Sequence, residues 1–316
     1  MNKKIRILAF LIMIMICLSG CEMFEQKEDI FIMFTNDVAS EVQGEIGYAG
    51  VKGYKDYLSS ENSYVTLVDA GDFFDGYLSA ASKGEYIVSL MNAVGYDVVA
   101  LGNQEFSIGL DALATNIENS NFDYVSCNLK YIGEGKDPLS KVQPYVIKRY
   151  GWTKVAFIGV TTPETLIEGK QAYEAICVDG SPVYSFYEGD EGLELYEQVQ
   201  KTIDKVRKKV DYVIVLAHLG ANSVTDGFSS YDLIDNTSGI DVIIDAHSHT
   251  VIPGESVYDA QGNNVVLTST GEKLENFGVL QLHTDHSITT TLYPSTYERD
   301  TSIDSIIDAI LEEIDK

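Results

Sequence analysis

From residue 30 onward, short apolar runs alternate with stretches in which apolar residues recur three and four positions apart. The runs at 30–34, 64–69, 98–101, 124–127, 155–160, 212–216 and 242–245 predict strands, as do later ones at 265–269, 279–282 and 288–293. Several early runs are continuously apolar rather than alternating, the pattern of strands covered on both faces. Helical spacing predicts helices over 51–58, 85–94, 110–119 and 193–209. The last sets Leu195, Val199, Ile203, Val206 and Val210 on one face and gathers Lys and Arg at its C-terminal end. Alternation of strands and helices predicts an α/β domain. The close spacing of the last three strands predicts an antiparallel section. The domain spans 30–300, with surface loops near 133–137 and 187–192, and a C-terminal helix lies within 301–316.

The start of the chain follows another pattern. Lys3, Lys4 and Arg6 precede an almost unbroken apolar run over 7–18. That run is short for a membrane span and suits the apolar region of a signal peptide. It ends in Leu18-Ser19-Gly20-Cys21, which resembles the bacterial lipobox. The resemblance implies that residues 1–21 are a lipoprotein signal peptide whose Cys21 is lipidated. Residues 22–29, rich in acids, would be a tether. The expected location is the extracytoplasmic face of a bacterial cell membrane, with acyl chains as the anchor.

Composition narrows the partners. At 316 residues, 45% hydrophobic and 22% charged, the chain is globular rather than disordered or fibrous. The 22 Lys+Arg face 48 Asp+Glu, a net charge of −26. Such a chain repels phosphate backbones and anionic headgroups, which excludes nucleic-acid polymers and a basic-patch membrane contact. A phosphate-bearing small molecule remains possible where a cation mediates. Beyond Cys17 and Cys21 only Cys127 and Cys177 remain, so no disulfide framework is implied. Cys127 closes an apolar run and reads as a buried, inert thiol.

The candidate chemistry lies where the strands end, the usual place for sites in open α/β sheets. Successive runs end in Thr35-Asn36-Asp37, Asp69-Ala70-Gly71-Asp72, Gly102-Asn103-Gln104-Glu105, Ala217-His218 and Asp245-Ala246-His247-Ser248-His249. Together they supply a mixed oxygen and nitrogen donor set suited to divalent Zn, Mn or Fe. Asp69, Asp75 and Asp245 read as turn or supporting residues, and His283 and His286 as surface residues. The 20 Tyr and Trp152 read as strand and rim positions.

The stretches FTNDVAS, LVDAGDFFDG, VVALGNQEFSIG, IGVTTPET, VIVLAHLG and DVIIDAHSHT, in that order, resemble the calcineurin-like metallophosphoesterases of the 5′-nucleotidase branch. The resemblance implies a four-layer αββα sandwich with one or two divalent ions between the sheets. It implies a first metal held by Asp37, Asp72 and His249. A second would be held by Asp72, Asn103, His218 and His247. It also implies hydrolysis of a phosphate ester by a metal-activated water. Gly71 and Gly102 would let backbone approach the site.

Two positions depart from the family pattern. Ala39 stands where a first-metal His is expected, and Gln104 where the His that assists the leaving group is expected. The second metal's donor set is complete and the first is depleted. Gln104 can donate a hydrogen bond but cannot transfer a proton, a loss that typically costs about 10²–10⁴ in rate. Ser40, Glu41 and Glu105 are the nearby candidates for compensation. The pattern therefore supports a phosphoesterase with impaired activity, or a metal-binding pseudoenzyme acting as a surface receptor. The C-terminal domain that stacks the nucleobase in two-domain members has no counterpart in the pattern.

Overall fold

The computed structural model describes residues 28–166, 174, 176–296 and 298–316. The expected signal peptide, with Cys21, and the tether up to residue 27 lie outside the described residues. Twelve strands build two six-stranded sheets. The first four are β1 (Ile30–Thr35), β2 (Val65–Asp69), β3 (Val98–Ala100) and β4 (Asp123–Val125). A second group comprises β5 (Tyr145–Tyr150), β6 (Thr153–Thr161), β7 (Tyr212–His218), β8 (Val242–Asp245), β9 (Val251–Tyr258) and β10 (Asn264–Thr270). The chain then returns to the first sheet with β11 (Phe277–Leu282) and β12 (Ile288–Tyr293). The first sheet is ordered β12-β11-β1-β2-β3-β4 and the second β9-β10-β8-β7-β6-β5.

Helices cover the outer faces. α1 (Gly47–Glu61), α2 (Tyr77–Ser82), α3 (Glu85–Val94), α4 (Leu110–Asn119) and α7 (Thr301–Ile314) belong to the first sheet's side. α5 (Leu193–Arg207) and α6 (Ser230–Asn236) belong to the second's. The layering follows from which face each side chain takes along a strand. Ile30, Ile32 and Phe34 of β1 pack with Phe157, Ile214 and Leu216 between the sheets. Met33 points the other way, into a cluster with Ile87 and Leu113 of the helices. On β7, Val213, Val215 and Ala217 meet Leu195, Val199 and Ile203 of α5. Both faces of these strands are covered, which is why their runs are continuously apolar. The result is the expected αββα sandwich.

Three differences from the sequence reading have simple causes. The last three expected strands do not form one antiparallel section. β10 joins the second sheet and runs parallel to β8, while β11 and β12 pair antiparallel in the first. The antiparallel partner of β10 is β9, an edge strand whose mostly exposed residues, Pro253 and Gly254 hide its strand character. β5 is likewise a half-exposed edge carrying Lys148 and Arg149. α2 and α6 are too short to show helical spacing.

Among the described residues no helix is long and apolar enough to cross a membrane. Cys127 and Cys177 are free thiols, and burial pushes the Cys127 thiol up to about 12. The strand starts and the turns at Trp152, Asp211 and His283–His286 lie at one edge, where Asp29 enters β1. His286 is exposed and His283 pairs with Asp29, as surface residues do. The strand ends lie at the opposite edge.

Candidate metal centre

Parallel strands of both sheets deliver polar residues to that opposite edge. β1 leads to Asp37, β2 to Asp72, β3 to Asn103, β6 to Glu164, β7 to His218, and β8 to His247 and His249. The backbone there is unusual. Asp37 (φ 49°), Asp72 (φ 62°), His247 (φ 80°) and His249 (φ 54°) all lie in the left-handed region. Non-glycine residues adopt it rarely and at a cost, and such strain concentrates at functional sites. Glycines allow the loops to close. A Cβ on Gly71 would sit 2.7 Å from the Gly102 nitrogen and 2.8 Å from His218 Nδ1, and one on Gly102 would collide with the Asp72 carboxylate.

Donor atoms of Asp72, His218 and His247 lie within 4.8 Å of one another. His218 is fully buried. Its Nδ1 lies 3.0 Å from the Ala70 carbonyl, and its Nε2 lies 3.1 Å from Asn103 Oδ1 and 3.1 Å from Asp72 Oδ2. The Ala70 carbonyl fixes the ring and turns Nε2 toward the other donors, the arrangement common to metal-ligating histidines. His247 sits with its ring 5.1 Å from that of His218, and its Nε2 is 3.1 Å from Glu164 Oε2. Asp72 Oδ1 accepts the Gln104 N–H at 2.9 Å. Asp37 accepts the His247 N–H at 3.0 Å, and His249 Nε2 lies 3.7 Å from Asp37 Oδ1. His249 is half exposed and also faces Glu272 at 3.4 Å.

The charges of this cluster call for a cation. Burial holds the Asp37 carboxyl above its ordinary range, and the Asp72 carboxylate adds to this. Burial would raise Asp72 too, but His218 and the Gln104 N–H outweigh it and hold Asp72 low. Burial would lower His218, yet Asp72, with Asp37 and Glu105, lifts the ring to about 10. A proton on His218 thus supplies the positive charge that the surrounding acids require. A divalent ion meets the same demand with the same oxygen and nitrogen donors, so the residues present fit a metal.

Four residues around the site carry roles that the sequence reading did not give them. Glu105, considered there as a substitute acid, is instead a clamp. It is wholly buried, and its oxygens accept N–H groups from Asp72 (2.9 Å), Gly102 (2.6 Å), Phe73 (2.9 Å) and Phe74 (3.1 Å). Burial pushes its carboxyl up to about 7, with Asp72 adding to the rise. Ser40 is engaged across the loops, donating to the Asp75 carbonyl and lying 2.9 Å from Ser79 Oγ of α2, and Glu41 is exposed. Asn36 ties the first sheet's loop to the second sheet. It donates to the Gly271 carbonyl at 2.8 Å and accepts the Thr270 N–H at 2.9 Å. Glu164 is buried beside His247, and Glu272 faces His249. A carboxylate just past an apolar run was the available signal for Glu164; Glu272 follows β10 in the same way. Asp69 and Asp75 serve their turns, accepting N–H groups from Gly71 (2.7 Å) and Gly76 (2.7 Å), while Asp245 braces the loop after β7 by accepting the Gly220 N–H (3.1 Å).

Beside Asn103 and Gln104 a cleft of about 520 Å³ opens toward α2.

Residues 55–276 match the family described as bacterial capsule synthesis protein PGA_cap. A snake venom 5′-nucleotidase from Gloydius brevicauda is 29% identical over 240 residues, which is 71% of this chain and 37% of that protein. The chain therefore spans little more than a third of that relative's length. A 5′-nucleotidase precursor from Thermus thermophilus superposes with a TM-score of 0.76 at 23% identity, covering 91% of this chain and 59% of that one. The calcineurin-like phosphoesterase YfkN from Bacillus subtilis gives a TM-score of 0.71 at 22% identity, covering 90% and 97%. The fold is that of the N-terminal, 5′-nucleotidase-type phosphoesterase domain.

Proposed function

The chain belongs to the family described as bacterial capsule synthesis protein PGA_cap, and on that premise we propose that it is a lipid-anchored, metal-dependent phosphoesterase of reduced activity. The observation that carries the reading is the convergence of Asp72, His218 and His247 within 4.8 Å, with Asn103 beside them. These four residues would hold one ion. Asp37 and His249, sharing Asp72, would hold another more weakly, because Ala39 offers no donor. Such ions position a phosphate, neutralise its charge and activate a water for attack.

The remaining steps belong to the protein. Glu105 fixes Asp72 by its backbone, and Glu164 orients His247 through Nε2, leaving Nδ1 as the donor. Gln104 lines the cleft and can hydrogen-bond a phosphate oxygen. It carries no proton for the leaving group, which must then be protonated by solvent. Esters with good leaving groups should therefore react best. Anchoring would come from lipid on Cys21. The nucleotide-related relatives support a phosphate ester of a small molecule as substrate.

A second reading, a metal-binding pseudoenzyme that serves as a surface receptor, is favoured by one observation: neither Ala39 nor Gln104 supplies an imidazole. Metal analysis of the purified domain, with hydrolysis of an aryl phosphate in Mn²⁺ or Zn²⁺, separates the two. The phosphoesterase reading expects bound metal and slow turnover, raised by about 10²-fold or more in Ala39→His/Gln104→His as general acid help returns. Bound metal with no turnover supports the receptor. Absence of bound metal overturns both.

A further inference from the structure

The cleft beside Gln104 joins the metal centre to a part of the surface that the site residues do not use. Asn103 and Gln104 line it together with Lys83. A phosphate held at the metal centre would send its leaving group past Gln104 and into this cleft. Resting on the phosphoesterase reading, we propose that the cleft is a leaving-group subsite in which Lys83 selects leaving groups that carry their own negative charge.

Three observations support this. First, Lys83 is the one basic residue among the described lining residues, and among the described residues no acid forms an ion pair with it. Elsewhere ion pairs hold Lys52 to Asp56, Lys55 to Asp97, Lys148 to Asp123 and Arg299 to Asp304. An ammonium that lines the cleft and forms no ion pair among the described residues is available to a ligand. Second, its backbone is fixed. Lys83 caps α2 in the left-handed region (φ 52°), and its carbonyl accepts the Asn116 amide at 2.8 Å. Third, the lining offers no ring face for stacking a base. Phe74 is 1% exposed and packs edge-on against Phe73, with ring centres 4.6 Å apart. The other lining includes Ser79, Ser107, Ile108 and Asp75, whose carboxylate is engaged by the Gly76 N–H at 2.7 Å, a mixed wall suited to a small polar group rather than a nucleobase.

The test compares two esters that differ in the charge of the leaving group. Hydrolysis of 3-phosphoglycerate releases glycerate and inorganic phosphate, and that of glycerol 3-phosphate releases neutral glycerol. In each case water gives its oxygen to phosphorus, the P–O ester bond breaks, and the leaving oxygen takes a proton from solvent. The measured quantity is the ratio of kcat/KM for the two esters in the Mn²⁺-loaded protein. Wild type should prefer the anionic leaving group. Lys83→Gln should lower the ratio by roughly five- to ten-fold, Lys83→Glu should lower it further, and Lys83→Arg should retain it. Equal ratios in wild type and all three variants, with unchanged thermal unfolding, would overturn the proposal. If wild type hydrolyses neither ester nor an aryl phosphate, the phosphoesterase reading fails separately. Calorimetric binding of the same two compounds then decides the subsite. A preference for 3-phosphoglycerate that Lys83→Gln abolishes supports it, and equal affinities overturn it.

Discussion

Glu105 ties together the two loops that carry Asp72 and Asn103. Its carboxylate collects N–H groups from two loops that belong to different strands, and so sets where Asp72 stands relative to Gly102. A Glu105→Gln variant keeps the volume but turns one acceptor into a donor facing N–H groups. An unsatisfied buried group costs about 1–3 kcal/mol, so thermal unfolding should shift by that amount. Mn²⁺ affinity measured by calorimetry should fall with it. An unchanged unfolding curve and affinity would mean that the clamp is ornamental. Donor residues at the ends of apolar runs were legible in the sequence because strand ends and metal chemistry select recognisable side chains. Glu105 was visible too, but its task was not. A carboxylate that ligates, one that transfers protons and one that caps backbone amides look alike until the partners are known. Asn36 was silent for the same reason: it acts on Thr270 and Gly271, far along the chain.

At the scale of elements, local pattern governed what could be read. α3 and α4 carry the bounds that their spacing predicts, because a glycine precedes each and an apolar face runs their length. Strands buried on both faces were equally plain. The edge strands β5 and β9 were not, since solvent on one side leaves no hydrophobic signature. Nor could spacing tell β10 from β11, because sheet membership depends on distant partners. The two glycines where the β2 and β3 loops meet are the element-level weak point. In Gly102→Ala, the added methyl would press on the Asp72 carboxylate. Mn²⁺ affinity should drop by on the order of ten-fold or more, as for other changes that displace a ligand's support. Far-ultraviolet circular dichroism should show the sandwich intact. A variant that binds metal like wild type would show that the loops yield freely.

For the whole molecule the net charge of −26 matters most. It makes bound cations the natural counterweight at the site, and it denies the protein any unspecific hold on an anionic bilayer. On the proposed reading, membrane attachment then rests on Cys21. Cys21→Ala is expected to move the protein from the membrane fraction to the soluble fraction and to abolish incorporation of a labelled fatty acid. Retention of either property would assign the anchor elsewhere.

The two edges of the sandwich then acquire different surroundings. Asp29 enters β1 at the edge away from the site, and the six-residue strand spans about 20 Å before Asp37 is reached. A molecule held by its leading end would stand with the acidic mouth pointing into open fluid. It would draw solutes from the surrounding medium rather than from the lipid plane. Its rate would follow the concentration of dissolved esters outside the cell, and its released phosphate would begin its diffusion a full strand length above the bilayer.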